Sequence, residues 1–462
     1  MTNKALINKD RALAQLLQEH FGYEDLYAYV RTFGCQGNVA DSEIIKGILE
    51  EIGFNLTHDI KKADMILLNT CAIRENAQNR AFGNIGAIKK YKETNPKVIT
   101  ALCGCMPEQE YVIKKIKKSY TFLDLIFGTG VLKSLPTLLK RSLKGEKMVI
   151  ETGNDALGLN EGLPVKRDSD FKAFLPILYG CDNFCSYCVV PNVRGRERSR
   201  PFNNILKEAE NLVEAGYKEI TLLGQNVNSY GLKDGFKENF AALLLALDQI
   251  QGDFWIRFMT SHPKDCSFEL LEAMAQAPKV AKHLHLPFQS GNDRILQTMN
   301  RGYTRADYTR LLKYAKTLMP DLSVTGDVIV GFPGESEEEF EDTLSIVNEV
   351  EFTSLYTFIF SPREGTPAAE MLDETSEEAK SQRFNKLISL QEQIAALRSE
   401  KMVGNVYKVL CEGESPNKPG FFVGRTEGNI IIEFPGSADK IGSFLTARVI
   451  KAKTWRLEGQ LI

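Results

Sequence analysis

Short apolar runs alternate with amphipathic helical stretches along most of the chain, and this alternation restricts the fold more than any other feature. Near the N-terminus, residues 40–53 have the spacing of an amphipathic helix. The strand candidates of this region are residues 27–35, 64–71, 97–105 and 123–130. Apolar strands separated by helices are typical of βαβ units with parallel strands. We therefore predict an N-terminal domain, residues 24–144, built on an open parallel α/β sheet.

The same alternation returns at a larger scale in residues 173–400. The strand candidates there are residues 174–180, 219–224, 255–259, 283–288, 322–331 and 354–360. Six βα units predict a central partial (β/α)6 barrel of the TIM type, and the weakly periodic residues 145–172 predict a linker. Residues 401–462 are short β-rich pieces between Gly and Pro turns, which predict a small C-terminal β-barrel of five strands. The predicted fold class is α/β.

Composition and charge exclude several classes of protein. The chain has no apolar run of about 18 residues, and its charged N-terminus lacks the apolar centre of a secretion signal. We therefore expect a cytoplasmic protein with no membrane partner. In that reducing compartment, nine cysteines are not expected to form structural disulfides. The net charge of −3 does not indicate a nucleic-acid binder, so basic residues would have to be concentrated locally.

Three cysteines form a tight motif after the first strand of the predicted barrel. Cys181, Cys185 and Cys188 lie within eight residues. Three thiolates at this spacing can hold three irons of a [4Fe–4S] cluster and leave the fourth iron open for a ligand. Zinc is the alternative, but zinc normally takes four ligands and no Cys or His pair follows. Cys266 and Cys411 have no motif around them and are expected to be buried thiols.

Small and amide residues follow two later strands of the predicted barrel. Gly224, Gln225 and Asn226 end the second strand, where they can hydrogen-bond a ligand. Asp327 and Gly331 belong to a glycine-containing segment whose backbone can approach an adenine or ribose closely. An ordinary turn is the alternative at each position. Together with the cysteine motif, these five residues predict a cofactor-binding site.

A second, dispersed set consists of Cys35, Cys71 and Cys105, each at the end of a predicted parallel strand. In an open α/β sheet such strand ends face one crevice, so the three thiols could meet there. Three unrelated buried thiols are the alternative. Cys103, two residues before Cys105, is an alternative third ligand.

The CxxxCxxC motif, with Tyr187 before its last cysteine, resembles that of the radical S-adenosylmethionine enzymes. The resemblance implies that Cys181, Cys185 and Cys188 hold a [4Fe–4S] cluster whose open iron binds S-adenosylmethionine. One electron then cleaves this cofactor to a 5′-deoxyadenosyl radical, while the protein supplies position and electronics.

More of the chain resembles one family within that group, the methylthiotransferases. The segments that match are residues 34–38, 69–76, 104–108, 194–201, 261–265 and 285–293. Residues 401–462 look like the TRAM domain of this family, an RNA-binding β-barrel. The resemblance implies that Cys35, Cys71 and Cys105 hold a second [4Fe–4S] cluster, which presents sulfur to the substrate.

Members of the family act on different substrates. One branch modifies N6-isopentenyladenosine beside the tRNA anticodon, a second threonylcarbamoyladenosine in tRNA, and a third an aspartate of a ribosomal protein. Cys35-Gln36 and residues 71–75 resemble the first branch, which usually has Met where this chain has Gly37. The expected reaction is methylthiolation of adenine C2, with a reducing electron donor and a sulfur donor as further partners. A non-catalytic iron–sulfur RNA-binding protein is the remote alternative, and no side chain is predicted as a general acid or base.

Alternate arginines follow the cysteine motif, at Arg194, Arg196, Arg198 and Arg200. They could bind phosphates of an RNA, the carboxylate of S-adenosylmethionine, or structural carboxylates. Residues 401–462 carry nine Lys and Arg against six Asp and Glu, a small excess that a solvated face would also show.

Overall fold

The computed structural model describes residues 10–72, 75–153 and 160–462, which form two compact units. The first unit comprises the described residues up to Asp168 together with residues 179–182 and 188–198. The second comprises residues 169–178, 183–187 and 199–462. None of the helices in these ranges combines the length and apolar character needed to span a membrane.

The first unit is an α/β sandwich. Its elements are α1 (Arg11–Phe21), β1 (Leu26–Thr32), α2 (Gln36–Glu51), β2 (Phe54–Leu56), β3 (Met65–Thr70), α3 (Glu75–Thr94), β4 (Ile99–Gly104), α4 (Glu110–Ser119), β5 (Leu125–Phe127), α5 (Leu135–Leu143), β6 (Val149–Glu151) and α6 (Val190–Arg194). Its six strands are all parallel, in the order β2-β1-β3-β4-β5-β6. The central strands β3 and β4 are buried throughout, as expected when helices cover both faces of a parallel sheet.

The strand order of this sheet defines where a ligand can bind. After β1 the chain moves to one side to form β2 and then to the other side to form β3. This reversal opens a crevice outside the carboxyl ends of β1 and β3, the usual ligand site of open α/β sheets.

The second unit begins with a strand and continues in βα units. Its elements before the C-terminal region are β7 (Lys172–Pro176), α7 (Phe202–Glu214), β10 (Glu219–Leu223), α8 (Phe240–Asp248), β11 (Trp255–Phe258), α9 (Phe268–Gln276), β12 (His283–His285), α10 (Asp293–Thr298), α11 (Arg305–Leu318), β13 (Ser323–Val330), α12 (Glu337–Val350), β14 (Ser354–Ile359) and α13 (Glu377–Lys401). The two-residue strands β8 (Leu178–Tyr179) and β9 (Arg198–Ser199) lie where the chain passes between the units.

Six parallel strands of this unit form two three-stranded sheets, β11-β10-β7 and β12-β13-β14, which share one apolar core with the surrounding helices. Local sequence starts the helices that separate the strands. α11 begins at Thr304 and α12 at Ser336, each with a capping box that satisfies free backbone N–H groups. The predicted six-stranded βα region is confirmed.

The C-terminal region of the second unit is a closed barrel. Its strands are β15 (Val406–Glu414), β16 (Phe421–Thr426), β17 (Ile431–Pro435), β18 (Phe444–Lys453) and β19 (Arg456–Leu461), in the order β15-β16-β17-β19-β18. Phe422, Phe434 and Leu457 lie in its core. The five-stranded barrel predicted from the sequence is confirmed. Cys266 and Cys411 are buried thiols, as expected.

Several elements were not predicted, among them α1, β2 and β6. The last of these lies in residues 145–172, expected to be a linker, and pairs in parallel with β5. β2 and β6 have three residues each, too few to show a periodic pattern. The domain boundaries at residues 144, 172 and 400 stay a prediction. Ile73 and Arg74 of the 71–75 motif, and residues 154–159 of the expected linker, lie outside the described residues.

Candidate functional site

The structure brings the dispersed cysteines to neighbouring strand ends. Cys35 follows β1, Cys71 follows β3 and Cys105 follows β4, and these three strands are adjacent in the sheet. The first two cysteines flank the crevice between β1 and β3. The crevice therefore has thiols where open α/β sheets usually bind ligands.

Close backbone packing keeps these cysteines together. A Cβ added to Gly34 would lie 2.7 Å from the Cβ of Cys71, so only glycine allows the two segments to touch. The N–H of Cys105 donates to the carbonyl of Thr70, next to Cys71, at 2.8 Å. Burial raises the pKa of Cys105 to about 12, and Cys71 and Cys35 add to that rise because they are electrostatic neighbours of its sulfur.

A buried polar network supports the three strand ends. Asn38, in the first turn of α2, accepts from the N–H of Cys35 at 3.4 Å and donates to the carbonyl of Thr70 at 3.3 Å. Asn69 donates back to the carbonyl of Asn38 at 2.8 Å and to the hydroxyl of Ser42 at 2.9 Å. The hydroxyl of Thr70 donates to the carbonyl of Cys103 at 2.7 Å, which adds the third segment. Because these groups are buried and satisfied within the network, they fix the three segments relative to one another.

Cys103 and Cys105 differ in surroundings although they are two residues apart. Cys103 is fully buried in the apolar core on one face of the sheet. Cys105 lies beyond the end of β4 and packs against Ala72, Val189 and Val193. Only Cys105 has Cys71 and Cys35 among its electrostatic neighbours.

A buried ion pair adjoins Cys105. The side chain of Arg194 is 6% exposed, and its Nε donates to the Sγ of Cys105 at 3.2 Å. Its Nη2 donates to the Oδ2 of Asp41 at 2.7 Å, and Asp41 is on the helix that begins at Cys35. Burial is the largest single effect and lowers the pKa of Arg194, but Asp41, Cys105 and Cys35 together outweigh it and raise the arginine pKa.

The loop of residues 181–188 is anchored within each unit. In the first unit, the N–H of Cys181 donates to the carbonyl of Gly195 at 3.2 Å. A Cβ on Gly180 would lie 2.1 Å from the carbonyl oxygen of Arg196, so this approach requires glycine. Cys188 also belongs to the first unit and directly precedes the residues that pack on Cys105.

In the second unit, Cys185 lies beside a buried arginine. Nη1 of Arg301 is 3.4 Å from the Sγ of Cys185, and Nη2 donates to the carbonyl of Pro287 at 2.7 Å. The N–H of Ser186 donates to the carbonyl of Met299 at 3.0 Å, which fixes the centre of the loop. Arg301 has no carboxylate within ion-pair distance among the described residues.

The thiol chemistry of these residues fits iron–sulfur clusters. All six predicted cysteine ligands are free thiols. Within the described ranges, no group of three His, Cys, Asp or Glu side chains is arranged around a single metal ion. Thiolates are the usual ligands of [4Fe–4S] clusters, so the chemistry of both cysteine sets fits such clusters.

Buried polar atoms without partners lie at the strand ends of the second unit. They are Oε1 of Gln225, Oδ1 of Asn226, Oγ of Ser261, Nε2 of His262 and Oε1 of Gln289, none of which has a hydrogen-bond partner among the described residues. Such atoms follow β10, β11 and β12. Because buried polar groups are normally satisfied, this set indicates a polar ligand at the carboxyl ends of the strands.

His262 and Asn226 show which hydrogen-bonding groups this set presents to a ligand. Its Nδ1 accepts from the N–H of Lys264 at 3.1 Å, and burial lowers the pKa of the ring. The neutral ring therefore carries its proton on Nε2, which can donate to a ligand. Asn226 donates from Nδ2 to Asp265 at 2.7 Å, which leaves its Oδ1 as the acceptor.

The other predicted cofactor residues have different surroundings. A Cβ on Gly224 would lie 2.7 Å from Cγ of Leu178, and one on Gly331 would lie 2.5 Å from Cγ of Lys380. The N–H of Gly331 donates to Glu335 at 2.7 Å, so packing within the chain accounts for both glycines. Asp327 lies 3.5 Å from Nε2 of His285 and is half-buried.

Three of the four arginines after the loop pair with carboxylates, and they differ in burial. Arg194 and Arg200 are buried with structural carboxylates, Asp41 and Glu208, at 2.7 and 2.8 Å. Arg196 is exposed and pairs with the carboxylate of the neighbouring loop residue 182 at 2.8 Å. The interpretation as structural ion pairs therefore holds for the two buried arginines.

Several residues of these sites were not assigned from the sequence. Ser261, His262 and Gln289 lie in segments after predicted strands, a position that could have marked them. Asp41 and Arg301 gave no local signal, because each meets its partner only through a long-range contact.

Comparison with known proteins agrees with this geometry. Three family profiles match: the Radical SAM superfamily over residues 175–347, the uncharacterized protein family UPF0004 over residues 27–128, and the TRAM domain over residues 400–462. Among solved structures, the radical S-adenosylmethionine methyltransferase TsrM from Kitasatospora setae, with cobalamin and a [4Fe-4S] cluster bound, aligns with a TM-score of 0.56. That alignment has 13% identity and covers 75% of this chain and 77% of TsrM, which supports the fold alone.

Curated relatives match nearly the whole chain. The tRNA-2-methylthio-N(6)-dimethylallyladenosine synthase of Alkaliphilus oremlandii (strain OhILAs) is 47% identical over 94% of this chain and 92% of its own. The synthase of the same name from Thermoanaerobacter sp. (strain X514) is 42% identical over 100% of this chain and 98% of its own. The chain belongs to the family of the tRNA-2-methylthio-N(6)-dimethylallyladenosine synthases, within the radical SAM superfamily.

Proposed function

We propose that this enzyme replaces the C2 hydrogen of N6-isopentenyladenosine, beside the tRNA anticodon, with a methylthio group. The observation that carries the proposal is the presence of two separate cysteine trios in a chain of this family. One trio lies in the short loop 181–188, and the other at three adjacent strand ends. Acid–base catalysis could not activate this C–H bond at neutral pH, so we assign no side chain as general acid or base.

The two trios would hold two [4Fe–4S] clusters. In this proposal Cys181, Cys185 and Cys188 ligate the first. The second is ligated by Cys35, Cys71 and Cys105 rather than Cys103, because Cys103 packs in the apolar core. When bound, the first cluster would supply radical cleavage of S-adenosylmethionine and the second would present sulfur. Cys35 is exposed, which leaves the second site accessible from solvent.

S-adenosylmethionine would bind at the strand ends of the second unit. Gln225, Asn226 and His262 offer buried polar atoms that lack partners among the described residues. Asp327, a half-buried residue within β13, can accept from hydroxyl groups of a ribose. Gly224 and Gly331 remain in the proposed site as residues whose backbone can approach the cofactor closely.

The RNA would contact the second unit at a cavity of about 400 Å³, beside the C-terminal barrel. Arg398 and Lys401, on the last turn of α13, line this cavity and have no carboxylate at ion-pair distance among the described residues. Tyr356 and Trp455 line it as well and are 45% and 48% exposed. Unpaired cations beside exposed aromatic rings are typical of single-stranded nucleic-acid sites.

This RNA contact can be tested by removing the two charges. We expect Arg398→Gln/Lys401→Gln to weaken binding of an isopentenylated anticodon stem-loop about 10-fold. The slope of log affinity against log salt concentration should fall by the amount that corresponds to about two phosphate contacts. Fluorescence anisotropy at several salt concentrations measures both. The control, Lys207→Gln/Lys313→Gln, removes the same charge from exposed helix positions of this unit. Equal weakening by both double variants would contradict the assignment.

The function itself is tested with purified substrates. Anaerobically reconstituted enzyme with S-adenosylmethionine and a reductant should add a methylthio group to isopentenylated tRNA, detected by mass spectrometry of nucleosides. A mass gain on threonylcarbamoyladenosine or on a ribosomal protein instead would contradict isopentenylated tRNA as the substrate. Clusters without 5′-deoxyadenosine formation would indicate a non-catalytic RNA-binding protein.

Two further partners and a compartment belong to the proposal. Each product carries a new sulfur atom and each cleavage uses an electron, so an external sulfur donor and an electron donor are required. We place the enzyme in the cytoplasm, where its tRNA substrate is found.

A further inference from the structure

The ion pair of Arg194 and Asp41 is a deeply buried charged feature next to a proposed cluster ligand. Their side chains are 6% and 5% exposed, and Nη2 and Oδ2 are 2.7 Å apart. The arginine also uses Nε to donate to the Sγ of Cys105 at 3.2 Å. One guanidinium thus bridges a carboxylate and a thiol sulfur.

The two residues of the ion pair come from segments that follow different proposed cluster ligands. Asp41 is on the helix that starts at Cys35, and Arg194 is six residues after Cys188. Val189 and Val193, from the same segment, pack against Cys105. The fork of the guanidinium is therefore held by Asp41 with one N–H directed at the sulfur.

A cation and an N–H donor at a cluster sulfur have a known physical effect. Reduction adds negative charge to the cluster, so both stabilise the reduced form and raise the reduction potential. A nearby carboxylate has the opposite effect. Low exposure strengthens both effects because water does not screen the charges.

We infer that Arg194, positioned by Asp41, sets the reduction potential of the cluster held by Cys35, Cys71 and Cys105. The inference rests on the proposed function, which places a cluster there. Arg194 acts through the sulfur of a proposed ligand, and Asp41 is the residue that positions it. The arginine and the carboxylate act with opposite signs, so their removal should shift the potential in opposite directions.

The test uses the full chain with Cys181, Cys185 and Cys188 replaced by alanine, so that only the second cluster binds. After anaerobic reconstitution, iron content and a redox titration followed by electron paramagnetic resonance are measured. We expect Arg194→Gln to shift the midpoint potential to more negative values, and Arg194→Lys to shift it less. Asp41→Asn should shift it to more positive values, with iron content unchanged in all three variants.

A matched control is Arg196→Gln, since Arg196 is two residues away but exposed and paired elsewhere. It should leave the potential unchanged. Shifts of the same sign for Arg194→Gln and Asp41→Asn, as solvent entry would cause, overturn the inference, and so does the absence of a shift. If Arg194→Gln loses its iron, the sign of the Asp41→Asn shift decides. A triple-alanine parent without iron rejects the ligand assignment of the proposed function instead.

Discussion

The two cysteine trios are brought together in different ways. Cys181, Cys185 and Cys188 are kept close by eight residues of chain. The second trio has members separated by more than thirty residues and depends on a parallel sheet to bring its strand ends together. The first trio is therefore specified by local sequence, whereas the second exists only when the first unit is folded.

The trios also differ in the charge beside them. Cys185 has Arg301, a buried cation with no carboxylate at ion-pair distance among the described residues. Cys105 has Arg194, whose charge is balanced by Asp41. An unbalanced buried cation favours an anionic ligand such as the carboxylate of S-adenosylmethionine, whereas the balanced pair does not attract a further anion.

The largest effect should come from a change in the first trio, in the loop of residues 181–188. Cys185→Ala removes one of three ligands of the first cluster, so we expect 5′-deoxyadenosine formation to fall below detection. Chromatography of reaction mixtures measures this product. The control is Cys266→Ala, which changes a buried thiol in the core of the same unit and should retain cleavage. Retained cleavage in the Cys185 variant would show that the loop does not hold the cleaving cluster.

Cys35→Ala should separate the activities that depend on the two trios. Without this ligand the second cluster is lost, so methylthiolated product should disappear while S-adenosylmethionine cleavage stays near that of the unaltered enzyme. Both products can be quantified in one reaction. Simultaneous loss of both activities would contradict the division of labour between the trios.

Arg301→Gln tests the unbalanced charge. Loss of a partner that supports a metal ligand typically costs about 10- to 100-fold in affinity or activity, and we expect a decrease of this size in cluster retention against a chelator. Absorbance of the cluster over time measures it. Arg294→Gln, on the preceding helix and paired with Glu339 near the surface, is the control. Equal cluster retention in both variants would contradict a role for Arg301 in holding the first cluster.

The smallest effect concerns the fold beneath the dispersed trio. Gly104 has φ of +101°, and a Cβ there would lie 2.3 Å from the carbonyl oxygen of Thr70. We expect Gly104→Ala to lower the free energy of unfolding of the cluster-free chain by about 1 to 3 kcal/mol, measured as a lower melting temperature. Gly83→Ala, at an open position of α3, should instead stabilise it by up to about 1 kcal/mol. A neutral Gly104 variant would contradict the close packing described.

The sequence predicted the fold class because apolar strands and amphipathic helices alternate over long stretches. It predicted the loop trio because its three cysteines are neighbours in sequence. The dispersed trio could be predicted only through strand ends and the family resemblance, which favoured Cys105 and kept Cys103 as the alternative. The sheet distinguishes their surroundings, since Cys103 points into the core and Cys105 lies beyond the strand.

Other parts of the sites depend on contacts that no local pattern reports. Arg301 meets Cys185 across 116 positions, and Arg194 meets Asp41 across 153. Gly224 and Gly331 show a further case: neighbouring side chains occupy the space where a Cβ would lie, so close packing requires glycine at both, and their contact with a ligand stays a prediction. Tertiary packing, rather than propensity or motif, decides such positions.

The most direct test of the account is the iron content of three proteins after anaerobic reconstitution. The unaltered chain and Cys103→Ala should each bind about eight irons, and Cys105→Ala about four, because two cubanes become one. About four irons in the unaltered chain, or loss of iron from the Cys103 variant with retention in the Cys105 variant, would contradict the assignment of two trios.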